Sequence, residues 1–259
     1  MLFDTHLHTI PFSSDSGMVF ADLVKAQKEQ SLGVILTEHV DYAFGNPKEF
    51  YFEPEEYFKA LSPYRSDRLL LGVEVGWTPD TKEKDAAFAS SHPFDMVIGS
   101  IHFVKNIDIY YPEFFALFPG KYEAFLSYME QMEAMVMEFS DFDTLGHMDY
   151  IGRTAPYADP FLYYEDYPDI FDRIFKTLIK KEKALEINTR QFNKPDAVEA
   201  LRRMCLRYRE LGGRMVTIGS DAHRPEAVGA YLKEAYDFAR ACDLTPVYFK
   251  DRKAVAVAL

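Results

Sequence analysis

The chain has 259 residues, of which 48% are hydrophobic, and a formal net charge of −12. That length suits a single domain of the α/β-barrel kind, which needs roughly 250 residues, and it allows a large buried core. The acidic balance argues against long nucleic acid as an electrostatic partner, while a small anionic substrate stays open because bound divalent cations reverse the local sign.

Short β-like runs alternate with longer amphipathic ones, the pattern of a parallel sheet with crossover helices. Strands are predicted over 2–6, 34–37, 69–74, 96–100, 144–146, 184–187 and 215–219. A further run at 246–249 reads as an eighth, edge or terminal strand. Helices are predicted over 21–30, 54–61, 122–139, 169–181, 195–211 and 225–241. In the 122–139 segment Phe125, Met129, Met132 and Val136 share one helical face, so its methionines read as core filler. The aromatic stretches 110–118 and 157–167 read either as loops over a pocket or as ordinary ring packing. No Gly/Ser or Pro-rich linker divides the chain, so one domain is expected over 1–259.

Cys205 and Cys242 fall in helix-like stretches and make no CxxC pair, which suits a reducing compartment. The first motif begins at Asp4, leaving no room for a signal peptide, and no uncharged apolar run reaches the ~18 residues of a membrane span. A cytoplasmic protein without membrane contact is expected.

Six of the seven histidines sit at the ends of short apolar runs, beside small or acidic residues. They occur in Asp4-Thr5-His6-Leu7-His8, Thr37-Glu38-His39, Ser100-Ile101-His102, Gly146-His147-Met148-Asp149 and Ser220-Asp221-Ala222-His223. Residues two apart on a strand share a face, so His6 and His8 aim together, as do Asp221 and His223. These pairs close the first and the last strong strands, which become neighbours only if the sheet curls into a barrel. Glu74, His39, His102 and His147 also lie at carboxyl ends of strands, where barrels of parallel strands carry their active sites. Taken singly, His39 or His147 reads as a hydrogen-bonded structural residue and Glu74 as a strand cap; together they read as a metal centre, since ligands must converge from distant parts of a chain. His92 precedes its strand and is expected at the opposite end.

These stretches, with Phe12-Ser13-Ser14-Asp15-Ser16, 72–74 and 186–189, resemble in order the PHP (polymerase and histidinol phosphatase) family, and most closely its stand-alone histidinol-phosphatase branch. The resemblance implies a distorted (β/α)7 barrel of mainly parallel strands, with up to three divalent metal ions at the C-terminal ends of the strands. It places His6, His8, Glu74 and Asp221 on one ion; Glu74 as a bridge with His102 and His147 on a second; and Asp15, His39 and His223 on a third. Zinc, manganese and iron all suit such mixed imidazole and carboxylate ligands.

Hydrolysis of a phosphate monoester demands a barrier reduction of ~20 kcal/mol or more, and a multi-metal cluster suits that demand. The expected reaction is attack by a metal-bridging hydroxide, with Glu74, Asp221 and His223 as catalytic residues. Asp149, His223 or a metal-bound water is expected to protonate the leaving group. No Ser/His/Asp or Cys-x5-Arg signature points to a covalent intermediate. Arg153, Arg190 and Arg224 flank the ligand motifs and are candidates for binding phosphate; each could instead serve a surface salt bridge or a helix start. The resemblance implies L-histidinol phosphate as the substrate, in histidine biosynthesis, with Phe12, Asp41, Tyr42 and Phe103 beside the ligand positions. The alternatives are a PHP phosphoesterase acting on phosphotyrosine protein, nucleotide or oligonucleotide, an amidohydrolase-type barrel acting on C–N bonds, and a non-catalytic metal-binding regulatory domain.

Overall fold

In the computed structural model, which describes residues 1–44, 46 and 49–258, alternating strands and helices build a mostly parallel sheet. Strands β1 (Phe3–Leu7), β2 (Gly33–Val40), β3 (Leu69–Gly76) and β4 (Val97–Ser100) come first. A small antiparallel hairpin follows, β5 (Phe103–Val104) with β6 (Ile107–Asp108). Then come β7 (Thr144–Leu145), β8 (Ala184–Asn188), β9 (Met215–Gly219), β10 (Thr245–Lys250) and β11 (Lys253–Ala256). The main sheet has the order β1-β2-β3-β4-β7-β8-β9-β10-β11 and is parallel throughout except for the final pair.

Helix α1 (Phe20–Gln30) links β1 to β2, α2 (Pro54–Leu61) links β2 to β3, and α3 (Lys82–Ser91) links β3 to β4. A single turn, α4 (Pro112–Phe115), and the long α5 (Lys121–Glu138) precede β7. Helices α6 (Pro168–Lys180), α7 (Pro195–Glu210) and α8 (Leu232–Ala241) precede β8, β9 and β10. Proline opens α2, α6 and α7, where its fixed φ suits the first turn and its missing N–H costs nothing.

The sheet curls so that β1 meets β9. Asp221 N donates to His6 O at 2.8 Å, His8 N to Ala222 O at 3.0 Å, and Thr5 Oγ1 to Ile218 O at 3.0 Å. Strand β10 occupies the amino-terminal half of the same β9 edge, through Thr245 and Pro246. The eighth-strand reading of 246–249 therefore holds, with β11 folded back on it.

Strand periodicity positions the site. One face of β2 carries Val34 and Leu36 into the main core beneath the helices; the other carries Ile35, Thr37 and His39. In β3 that second face carries Leu70, Gly72 and Glu74, and in β4 it carries Ile98 and Ser100. Phe3, Ile35, Leu70, Met96, Ile98, Ala184, Val247 and Phe249 form a separate apolar cluster toward the amino ends of the strands. The curled sheet is thus plugged with hydrocarbon below and lined with polar groups above. Strand β1 departs from simple alternation because its register on β2 shifts between Asp4 and Leu7, so Phe3 joins the plug while His6 joins the polar layer.

Two helix expectations need correction. Helix α3 has no counterpart among the helices expected from the sequence. The helix expected over 225–241 is instead a 3-10 turn (Pro225–Ala227) followed by α8 from Leu232. Gly229 (φ 71°) and Tyr231 (φ 55°) take left-handed conformations that interrupt a helix, and the Gly229 N–H donates to Asp4 Oδ2 at 2.8 Å. Phe125, Met129, Met132 and Val136 of α5 are buried, as expected for core filler, whereas Met137 is exposed. Of the unit expected over 1–259, Gly45, Pro47, Lys48 and Leu259 lie outside the described residues. Among the described residues no helix is long and apolar enough to cross a membrane.

Candidate active site

Glu74 stands where the strand ends converge. Its Oε2 lies 3.2 Å from His6 Nε2, 3.6 Å from His8 Nε2 and 3.0 Å from His39 Nδ1. Its Oε1 lies 2.8 Å from His147 Nε2 and 3.3 Å from His102 Nε2, and accepts a hydrogen bond from Ser100 Oγ at 2.7 Å. Neighbouring strands in register explain much of this: His39 of β2 pairs with Glu74 of β3, and Glu74 with Ile98 of β4. The other imidazoles arrive from β1 and from the turns after β4 and β7.

Asp221 closes the group from the turn after β9. Its Oδ1 is 3.5 Å from His8 Nε2, 3.6 Å from His223 Nδ1 and 3.9 Å from His6 Nε2. The residue has φ 55°, a left-handed conformation that aspartate tolerates better than bulky residues, and its backbone is held by the bond to His6 O. Asp15, from the turn after β1, places Oδ2 at 2.9 Å from His223 Nε2 and 3.5 Å from His39 Nε2. The side chain of Asp15 is 37% exposed, against 0% for Glu74, so this edge of the cluster faces solvent.

Charge is concentrated here among buried groups. Burial opposes ionisation of Glu74, but His6, His102 and His39 outweigh it and hold the carboxyl well below its usual range. Burial likewise opposes a charge on His6, yet Glu186, Glu74 and Asp221 hold its pKa well above the ordinary value. His8 goes the other way: burial and the neighbouring His39 and His223 push its pKa well down, keeping the ring neutral with a lone pair free for a cation.

The residues present fit divalent cations. His6 Nε2, His8 Nε2 and Glu74 Oε2 are buried side by side with no hydrogen-bond partner, and His39 Nδ1 and His147 Nδ1 are also buried without one. Buried polar atoms are ordinarily paired, and three imidazole nitrogens left open around one carboxylate oxygen call for an electron-pair acceptor. Among the described residues, groups close enough to hold an ion include His6 with His8 and Glu74; Glu74 with His102 and His147; His6 with His147 and Asp221; His8 with His39 and His223; and His39 with Asp41 and His102. All nine residues expected as ligands (His6, His8, Asp15, His39, Glu74, His102, His147, Asp221 and His223) meet at this one rim.

The three arginines fare differently. Arg153 is half-buried, donates from Nη1 to Asp221 Oδ2 at 2.6 Å, and keeps Nε and Nη2 buried without partners. Arg190 is partly exposed; its Nη1 donates to Asp221 O and approaches His223 Nδ1 at 3.3 Å. Arg224 is exposed and precedes the 3-10 turn at Pro225. His92 lies away from the cluster, stacked on Phe58 with centroids 5.4 Å apart and 3.7 Å from Glu55. Phe12 packs edge-on to Phe52 and Tyr57, Tyr42 tilts against Tyr51, and Phe103 meets Phe44 edge-on.

Several residues of the site carry no role that the sequence alone assigns. Glu186 Oε1 is 2.6 Å from His6 Nδ1, and Asp41, expected only beside the substrate, places Oδ2 at 3.0 Å from His102 Nδ1. Ser13 Oγ is 3.3 Å from His8 Nδ1, accepts from His39 N and donates to Glu38 Oε2 at 2.6 Å. An acid directly before a histidine, as in Thr37-Glu38-His39, is the one local signal that hints at Glu38. Nothing local marks Glu186 as a partner of His6, 180 positions away.

A curled β/α sheet carrying imidazoles and carboxylates on its carboxyl rim defines the class, and sequence comparison bears it out. The PHP domain family model matches residues 4–190, and the chain belongs to that family. It is 41% identical over 252 residues to a probable histidinol-phosphatase of Clostridium acetobutylicum, covering 97% of this chain and 98% of that protein. A histidinol-phosphatase of Lactococcus lactis subsp. lactis is 32% identical over 226 residues, covering 85% of this chain and 83% of that protein. The fold matches a crystal structure of histidinol phosphate phosphatase from Lactococcus lactis subsp. lactis complexed with zinc, L-histidinol and phosphate. That match has a TM-score of 0.91 and 29% identity, and covers 98% of each chain.

Proposed function

We propose that the chain, as one domain over 1–259, is a metal-dependent phosphomonoesterase that hydrolyses L-histidinol phosphate to L-histidinol and phosphate in histidine biosynthesis. One observation carries the reading: open imidazole nitrogens around Glu74 lie beside a buried guanidinium with unpaired donors, joined to them through Asp221. The relatives named for this reaction, and the ligands of the Lactococcus structure, support the same substrate.

His6, His8, Glu74 and Asp221 would hold one divalent ion, Glu74, His102 and His147 a second, and Asp15, His39 and His223 a third, with zinc, manganese or iron as candidates. Ions bound there would polarise the phosphoryl oxygens and supply a water nucleophile active near neutral pH. The chain's own residues do the remaining work. Arg153 offers Nε and Nη2 to the phosphoryl oxygens, while Asp221 orients its guanidinium through the 2.6 Å contact. Arg190, at the more open side, closes on the same anion. Arg224, exposed beside His223, serves as a third, outer cation for the incoming ester. Glu74 links the two inner groups of imidazoles, and His223 lies at the solvent edge of the catalytic set.

We place the enzyme in the cytoplasm, a reading supported by its free cysteines Cys205 and Cys242, and take its partner to be a small phosphorylated molecule, with long nucleic acid and membrane not expected. The test is a panel of phosphomonoesters assayed with metal-reconstituted protein. The reading expects kcat/KM for L-histidinol phosphate to exceed that for phosphotyrosine, nucleotides and p-nitrophenyl phosphate; equal turnover across the panel would overturn the substrate, and no turnover of any would overturn the reaction.

A further inference from the structure

Glu186 is buried on β8, and both of its oxygens are committed within the site. Oε1 lies 2.6 Å from His6 Nδ1, while Oε2 accepts from His147 N at 2.6 Å and from Asn188 Nδ2 at 3.3 Å. His6 and His147 face different oxygens of Glu74, His6 toward Oε2 and His147 toward Oε1, and both lie close to Asp221. One carboxylate outside the ligand groups therefore grips both, one by its ring and the other by its backbone.

We propose that Glu186 is a positioning residue that presets the two inner cation sites together. The inference rests on the metal-centre reading above and adds to it a residue with no ligand role of its own. An imidazole binds a cation through one nitrogen only when the other carries the proton, and a carboxylate on that second nitrogen fixes both tautomer and ring direction. With Nδ1–H donated to Glu186, the open atom of His6 is Nε2, the atom that faces Glu74 without a hydrogen bond. The second oxygen fixes the main chain at His147, where a short strand gives way to the turn that carries the ring.

The surroundings are built for this contact. A Cβ at Gly219 would stand 2.3 Å from His6 Cβ and 2.8 Å from Glu186 Oε1, so the neighbouring strand leaves the gap in which the pair forms. Asn188 Nδ2 also approaches Asp221 Oδ2 at 3.4 Å, bracing Glu186 against the residue that holds Arg153. Ser13 makes a comparable pair of contacts, on His8 Nδ1 and the His39 backbone N, but without a charge, while Asp41 holds the His102 ring alone.

The test compares metal-free wild-type protein with Glu186→Gln, which keeps the shape and removes the charge and one acceptor. Zinc affinity and stoichiometry are read by competition with a chromophoric chelator, and folding by circular dichroism and thermal melting of the metal-free forms. The proposal expects a folded variant whose two tightest zinc equivalents both weaken by about 10–100-fold. Wild-type affinity in the folded variant would overturn it while leaving the metal centre standing. Weakening of only one equivalent would overturn the joint role. Failure of the wild-type protein to bind zinc, manganese or iron would instead overturn the metal-centre reading, and this inference with it. If Glu186→Gln does not fold, long-range 1H–15N correlation of the histidine rings in zinc-loaded wild-type protein decides. A His6 proton on Nδ1 at a hydrogen-bonded low-field position supports the proposal, and an unprotonated His6 Nδ1 overturns it.

Discussion

Arg153 donates one nitrogen to Asp221 across 2.6 Å and keeps two others buried without partners. A guanidinium so placed is held rigidly by one acid while two donors remain for an anion. Arg153→Lys keeps the charge but replaces the planar fork with a single flexible ammonium. The loss of one charge-assisted hydrogen bond, about 1.5–3 kcal/mol, corresponds to a fall in kcat/KM of roughly 10–100-fold. Steady-state kinetics check the fall, and elemental analysis should show unchanged metal content.

Glu74→Gln preserves volume but removes the charge that joins the imidazoles. Bound metal should fall below the wild-type stoichiometry and turnover to background, while circular dichroism remains native. Full activity in this variant would contradict the central position given to Glu74.

Gly219→Ala should fail for a steric reason. Its methyl group would meet His6 Cβ at 2.3 Å and the Glu186 carboxylate at 2.8 Å, with the His6 backbone N at 3.1 Å behind it. Overpacking of this kind costs about 1–3 kcal/mol, to be read from urea denaturation, and activity should be lost with it.

Asp85, outside the centre, supplies a pH signature. Burial is the main cause that raises its pKa to about 8, with Asp41 adding to it and the Thr81 hydrogen bond opposing. The folded state therefore holds this proton more tightly than the unfolded chain, whose aspartate titrates near ~4. Its contribution to stability is full below that lower value and is lost as pH rises through about 8. Asp85→Asn should flatten the decline, matching wild type only near or below pH ~4 and exceeding it by a few kcal/mol at pH ~9, at roughly 1.4 kcal/mol per pKa unit. Urea midpoints at the two pH values check this.

The alternation of apolar and polar residues makes the strand ends legible, because a buried parallel strand turns its chemistry inward only where the hydrocarbon plug stops. Thus Ile35 then His39, and Leu70 then Glu74, mark the site by spacing alone. The supporting residues are not legible in the same way. Glu186 and Asp41 act across the sheet on histidines from other strands, and that convergence leaves no local spacing. Helix α3 escapes the periodicity because its apolar residues, mainly Ala86, Ala87, Phe88 and Ala89, sit together rather than at helical intervals. The break before α8 escapes it because Gly229 serves Asp4, 225 positions away.

Anomalous diffraction from crystals grown with zinc tests the centre most directly. The account predicts peaks at ~2.0–2.2 Å from ligand atoms, one among His6, His8, Glu74 and Asp221 and another among Glu74, His102 and His147. A well-ordered structure with no anomalous density at that rim, or with these side chains bound to zinc at separate places, would contradict it.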